Sequence, residues 1–226
     1  MKIGILQTGH APVALKPVLG DYASMFVELL GRDTFDYQAW SVVDMEFPDD
    51  IHAADGWLIT GSRHGAYDDL PFIAPLEDFI RRIYGAGIPL IGVCFGHQII
   101  AQALGGRVEK FADGWAVGRT AYDWDGSQVT LNAWHQDQVI ELPEGAKRIA
   151  SNDFCTNAAL LYGDRAFTVQ AHPEFGHDFI EGLLEHRAGA VEADRVARAR
   201  ETLGQPLDNA KLGAMMARFF KERQLG

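Results

Sequence analysis

Residues 88–98 read Ile88-Pro89-Leu90-Ile91-Gly92-Val93-Cys94-Phe95-Gly96-His97-Gln98. The apolar run Ile88–Val93 predicts a buried strand, and Phe95–Leu104 predicts a helix that follows with no loop between them. Cys94 falls at the junction, with a glycine two residues to either side. This is the cysteine counterpart of a Gly-x-Ser-x-Gly elbow, in which a tight strand-to-helix turn lifts a nucleophile into the open. Gly92 and Gly96 are required where strand and helix pack too closely for a side chain. Cys94 then lies at a helix N-terminus, where free N–H groups and the dipole favour a thiolate. The Phe95 N–H would face a developing oxyanion. Ile99, Ile100, Ala103 and Leu104 form the face that pins the helix to the sheet. The competing reading is a buried structural cysteine, which is the preferred one for Cys155, a residue with no flanking glycines.

Outward from this turn, strands and helices alternate. Lys2–Gln7, Tyr37–Val43 and Trp57–Thr60 read as strands, the last nearly all apolar, as in a parallel strand covered on both faces. Asp21 caps a helix carrying Tyr22, Met25, Phe26, Leu29 and Leu30, which Gly31 closes. Pro71–Tyr84 predicts another helix, with Pro71 in its first turn. The alternation points to a parallel sheet with helices on both faces. After Gly105-Gly106 the pattern shifts to short strands: 107–111, 118–124, 128–131, 139–142, 148–151, 158–162 and 167–170. An antiparallel extension is expected there. From Asp178 the chain reads as helical, broken at Gly204-Gln205-Pro206. No repeat or linker is visible, so one α/β domain is expected over 1–226, a core to about 176 and a helical tail over 177–226.

Twenty Lys and Arg against 31 Asp and Glu give a net charge of −11, which argues against a nucleic-acid surface. No run of apolar residues is long enough to span a bilayer, and MKIGILQTGH reads as a first strand, not a signal peptide. Two cysteines are too few for a disulfide framework. A cytoplasmic protein with no membrane partner is expected.

A thiol nucleophile needs a base, and the base needs an orienting group. Phe167–Phe175 supplies both in His172-Pro173-Glu174. Pro173 biases His172 toward extended backbone. In extended chain residues i and i+2 share a side, so Glu174 is expected to reach the imidazole and set its tautomer. A capping histidine is the plain alternative. A metal set of His172, Glu174 and His177 is a weaker one, since its spacing matches no structural zinc pattern.

With these residues in hand, the chain resembles the class I glutamine amidotransferases, especially the glutaminase domain of GMP synthase and its free-standing relatives. The resemblance rests on Gly92–Gln98, His172-Pro173-Glu174, the Thr60-Gly61-Ser62 loop and Trp134-His135-Gln136-Asp137, which together span Lys2–Phe175. It implies a flavodoxin-like α/β fold with a mostly parallel central sheet, an antiparallel strand extension and the helical tail. It also implies a Cys94–His172–Glu174 triad, an oxyanion hole from the N–H groups of Gly61 and Phe95, and substrate contacts from Ser62, Gln98, Trp134, His135 and Gln136. No cofactor and no metal are implied. The implied reaction forms a γ-glutamyl thioester on Cys94 and releases ammonia, then glutamate.

The loop departs from the family where His64 and Gly65 follow Ser62-Arg63. The chain also has no phosphate or pyrophosphatase loop, so glutamine-dependent synthesis is expected to need a separate synthetase subunit. Two other readings remain open. One is a stand-alone γ-glutamyl peptidase or hydrolase. The other is an inert regulatory or binding module, against which the intact triad counts. A cysteine protease or chaperone of related fold is disfavoured by the late His-Pro-Glu.

Overall fold

The computed structural model describes residues 1–225. In chain order the elements are β1 (Lys2–Leu6), α1 (Lys16–Leu19), α2 (Tyr22–Leu30), β2 (Asp36–Trp40), β3 (Gly56–Ile59), α3 (Ile73–Ala86), β4 (Leu90–Val93) and α4 (Phe95–Ala103). There follow β5 (Arg107–Lys110), β6 (Ala116–Trp124), β7 (Ser127–His135), β8 (Asp137–Glu141), β9 (Lys147–Ser151), β10 (Ala159–Tyr162) and β11 (Ala166–Val169). Three helices close the chain: α5 (His177–His186), α6 (Ala193–Glu201) and α7 (Asn209–Glu222).

Nine strands form one sheet in the order β2-β1-β3-β4-β11-β10-β9-β6-β7. The five from β2 to β11 run parallel, and the remainder are antiparallel. A separate ribbon pairs β5 with β8. The fold is thus an α/β sheet, mostly parallel at its centre, with the antiparallel extension expected from the short strands.

Alternating residues of the central strands feed two cores. Ile3, Ile5, Leu58, Ile91 and Val93 pack with Phe26 of α2 and with Leu212, Met216, Phe219 and Phe220 of α7. Leu6, Trp57, Ile59 and Leu90 pack with Leu76, Phe79, Ile80 and Ile83 of α3 and Ile99 and Ile100 of α4. Both faces of the parallel strands are therefore covered, which is why these strands are apolar throughout. The helical tail does not stand apart. Its last helix, α7, forms a wall of the first core beside α2.

Several boundaries differ from the sequence expectation, each for a local reason. The strand expected to reach Val43 stops at Trp40, because residues 42–44 coil into a 3₁₀ turn that Met45 ends in a left-handed conformation. The helix expected from Pro71 starts at Ile73, and Pro75 occupies its first turn, where an N–H is not needed. The strand expected over 128–131 runs on to His135, since all nine residues of β6 pair with β7. Trp134 and His135 are therefore strand residues.

Candidate active site

β4 enters α4 directly, and Cys94 at the junction has φ 53° and ψ −104°. That left-handed backbone is costly for a residue with a Cβ, roughly 1–3 kcal/mol, and the surroundings enforce it. Cys94 N–H donates to Val169 O at 2.9 Å and Gly96 N–H donates to Thr60 O at 3.1 Å, so the turn is tied to both neighbouring strands. A Cβ on Gly92 would lie 2.4 Å from Gly96 O, and one on Gly96 would lie 2.3 Å from Ile59 O. Both obstacles are backbone and cannot swing away. Gly96→Ala is accordingly expected to cost about 3 kcal/mol, the upper end of overpacking, read as a lowered denaturation midpoint. An unchanged midpoint would show that the elbow has slack.

His172 extends past the end of β11 and bridges to Asn132 of β7, its N–H donating to Asn132 O at 2.8 Å. The chain then turns, with Phe175 N–H donating back to His172 O at 3.3 Å. Pro173 and Glu174 are the two central residues of this turn. Glu174 therefore meets His172 by chain reversal, not by the side-to-side reach of extended backbone expected from the spacing. Its Oε1 lies 2.7 Å from His172 Nδ1, and both side chains are almost wholly buried. Phe175 stacks on the imidazole, its ring 3.9 Å away and 4° from parallel. Asn132 Nδ2 donates to Phe175 O at 3.0 Å and anchors the turn.

The carboxylate assigns the Nδ1 proton and leaves Nε2 as the nitrogen available for exchange with a thiol. Burial pulls His172 down, but the charges of Glu174 and then Cys94 outweigh it and raise it to about 10. Two other buried histidines go the opposite way. Burial pushes His97 down to about 3, with the charge of His135 adding to it. Burial also takes His135 to about 3, with the charge of His172 adding to it. The same residue type is thus pushed up at one position and down at two, according to the charges around it. His177 takes no part: its Nδ1 accepts from Gly204 N–H at 3.2 Å.

Gly61 sits where Cys94 and His172 converge. A Cβ on it would lie 2.9 Å from His172 Cε1 and 3.7 Å from Cys94 Cβ, so a larger residue would push into the imidazole. Its peptide is held from behind. Thr60 O accepts from Thr8 Oγ1 at 2.9 Å, and Gly61 O accepts from Thr8 Oγ1 at 3.1 Å. Among the described residues, neither Gly61 N–H nor Phe95 N–H has a hydrogen-bond partner, and Phe95 is the first residue of α4, whose N–H has no intrahelical acceptor. Cys94 and His172 open into a cavity of about 440 Å³ that Ser62, Gln98, Trp134, His135 and Gln136 also line.

The family profile described as "Glutamine amidotransferase class-I" matches residues 21–181. The chain belongs to the class I glutamine amidotransferase family. It is 29% identical to gamma-glutamyl peptidase 4 of Arabidopsis thaliana over 92% of this chain and 90% of that one. It is 30% identical to the glutamine-hydrolyzing GMP synthase of Thermus thermophilus, over 73% of this chain but 35% of that enzyme. A glutamine amidotransferase from Thermotoga maritima superposes with a TM-score of 0.76 at 21% identity, covering 98% of this chain and 97% of that one.

For this amidotransferase, sequence reasoning missed several cavity residues. Tyr22 packs tilted against Phe175 and edge-on against Phe179 and lines the cavity with Trp115, Leu183 and Arg187. They come from separate segments and carry no motif. Gln98, expected as a substrate contact, spends its amide N–H groups on Asp137 O at 2.9 Å and Gln170 Oε1 at 3.1 Å, which leaves its carbonyl oxygen for the cavity. No helix among the described residues is long and apolar enough to cross a membrane.

Proposed function

We propose that this chain is a γ-glutamyl amide hydrolase working through a thioester on Cys94. The observation that carries the reading is that Cys94 and His172 open into one cavity, with Glu174 buried behind the imidazole and Gly61 packed against it. In the reaction, the Cys94 thiolate attacks the γ-carbonyl carbon. Charge gathers on the carbonyl oxygen, and the N–H groups of Gly61 and Phe95 receive it. The C–N bond breaks as His172 gives its proton to the departing nitrogen. Water, deprotonated by the same imidazole, then adds to the thioester carbon, the S–C bond breaks and glutamate leaves. Glu174 holds the imidazole in one tautomer throughout. Ser62, Trp134, His135 and Gln136, with the Gln98 carbonyl, orient the glutamyl group. No cofactor enters any step.

Two readings differ in the leaving group. In one, glutamine is cut and ammonia passes to a separate synthetase subunit. In the other, a γ-glutamyl peptide or amine is cut with no partner. The second is favoured by nearly full-length similarity to a γ-glutamyl peptidase and by the cavity volume. About 440 Å³ falls within the roughly 300–1,000 Å³ typical of ligand sites, which leaves room for a residue beyond the glutamyl group. In either case we place the protein in the cytoplasm, as one domain over residues 1–226.

Glutamate release from glutamine, a γ-glutamyl dipeptide and a γ-glutamyl amine tests both readings. The peptide is expected to be cleaved with a kcat/KM at least ~10-fold above that of glutamine, a margin within reach of side-chain contacts in a pocket. Glutamine equal to or better than the other two would favour the ammonia-delivering reading. Release from none would remove the hydrolase assignment.

A further inference from the structure

The cavity is cationic in a chain of net charge −11. Arg63, Lys110 and Arg187 line it, and among the described residues none of the three is in an ion pair. The one carboxylate on the lining is Asp137, which accepts from Tyr67 OH at 3.0 Å. Burial raises its pKa. An unpaired cluster of cations in a concave, partly apolar site attracts anionic groups of a ligand.

Their placement separates two tasks. Lys110 acts on Asp137, beside His135 and Gln136, on the wall assigned above to the glutamyl group. Arg187 belongs to another wall. It ends α5, its N–H donating to Leu183 O at 2.8 Å. Arg187 and Leu183 are thus one helical turn apart, and both face the cavity. Tyr22 links this wall to the chemistry. Burial first, then the charges of Cys94 and Glu174, hold its hydroxyl above the ordinary range, while Arg187 opposes them. The Tyr22 ring lies 6.1 Å from that of Phe175, which stacks on His172, and it lines the cavity together with Arg187. Trp115 and Trp134, 6.3 Å apart, add aromatic surface to the lining.

Resting on the hydrolase reading, we propose that Arg187 is a specificity-determining residue that binds the carboxylate of the leaving amino acid. The preferred substrates are then γ-glutamyl amino acids in which the residue after the γ-amide is apolar or aromatic and keeps its free carboxylate, ahead of γ-glutamyl amines and glutamine. Guanidinium suits this task because its planar donors meet a carboxylate two at a time. The substrate's side chain packs against Leu183 and Trp115, and its carboxylate reaches the rim. Atoms balance as in the parent reaction: the γ C–N bond breaks, His172 protonates the amine nitrogen, and the freed amino acid departs with its carboxylate on Arg187.

The test compares γ-glutamylphenylalanine with γ-glutamylphenethylamide, which differ only in that carboxylate, and with glutamine, using the full chain and its Arg187→Met variant. Wild type is expected to prefer the carboxylated substrate by ~10-fold in kcat/KM, the modest size reflecting an exposed, salt-screened partner. Arg187→Met should erase that preference, chiefly through KM, and leave the amide and glutamine within ~3-fold of wild type. Arg187→Lys should restore part of it. Equal losses on all three substrates would place Arg187 on the shared glutamyl carboxylate and overturn the proposal, as would a wild type with no preference. Those results still show cleavage, so the hydrolase reading survives them. A wild type that cleaves none of the three overturns both.

Discussion

Cys94→Ala is expected to lose turnover on every γ-glutamyl substrate by roughly 10⁵-fold or more, as when a covalent nucleophile is removed from a unit that acts together. The fold should survive, because the thiol contributes little packing that a methyl does not. The Ala variant keeps a Cβ at φ 53° and so keeps the backbone strain. Cys94→Gly removes it. Relief of roughly 1–3 kcal/mol is offset by the larger entropy of glycine in the unfolded chain, about 0.5–1 kcal/mol. The Gly variant is therefore expected to be equally dead but more stable than the Ala variant by about 1 kcal/mol. Glutamate release and thermal melts on the two variants read this directly. Turnover within about tenfold of wild type in either would end the thioester mechanism, and a less stable Gly variant would show that the elbow carries no strain.

The elbow was legible in the sequence because everything that makes it is local. A buried strand, two glycines and a helix start lie within residues 88–98, and the reasons for them are steric. The His-Pro-Glu pair was legible as a pair, but not in its geometry. Extended backbone and a turn can both bring residues i and i+2 together, and the tie to Asn132 selects the turn. Asn132 lies far upstream, one residue beyond the strand expected over 128–131. Gly61 came from resemblance alone, since nothing near it in the chain announces that His172 will sit against its Cα. Tyr22, Trp115 and Arg187 were invisible for the same reason: the fold gathers them from distant segments, and no spacing rule relates them. Local chemistry could be read ahead of the structure, whereas the shape and charge of the cavity depended on packing.

Glu174→Gln separates the orienting role of Glu174 from simple packing, because the amide preserves shape while removing the charge. Activity is expected to fall roughly 10³- to 10⁴-fold, since an imidazole without its carboxylate loses both tautomer control and stabilisation of its charged form. Stability changes with pH in a way that a packing defect would not reproduce. His172 is raised from 6.5 to about 10 in the folded chain. The contribution of its charged form is thus full below 6.5 and lost as pH rises through about 10. In the Gln variant the charge of Glu174, the larger of the two that raise His172, is gone, so this slope should flatten. The wild-type advantage in denaturation midpoint should therefore narrow between pH 6.5 and 10. An unpaired oxygen works against a large advantage at any pH. Among the described residues Glu174 Oε2 is buried without a hydrogen-bond partner, and a buried carboxylate that is only half satisfied costs stability even when its other oxygen is paired. That cost, accepted at the centre of the site, is the pattern expected of a carboxylate kept for catalysis. A variant that loses activity while the midpoint difference stays flat across that pH window would assign Glu174 to positioning by shape, with no electrostatic hold on His172.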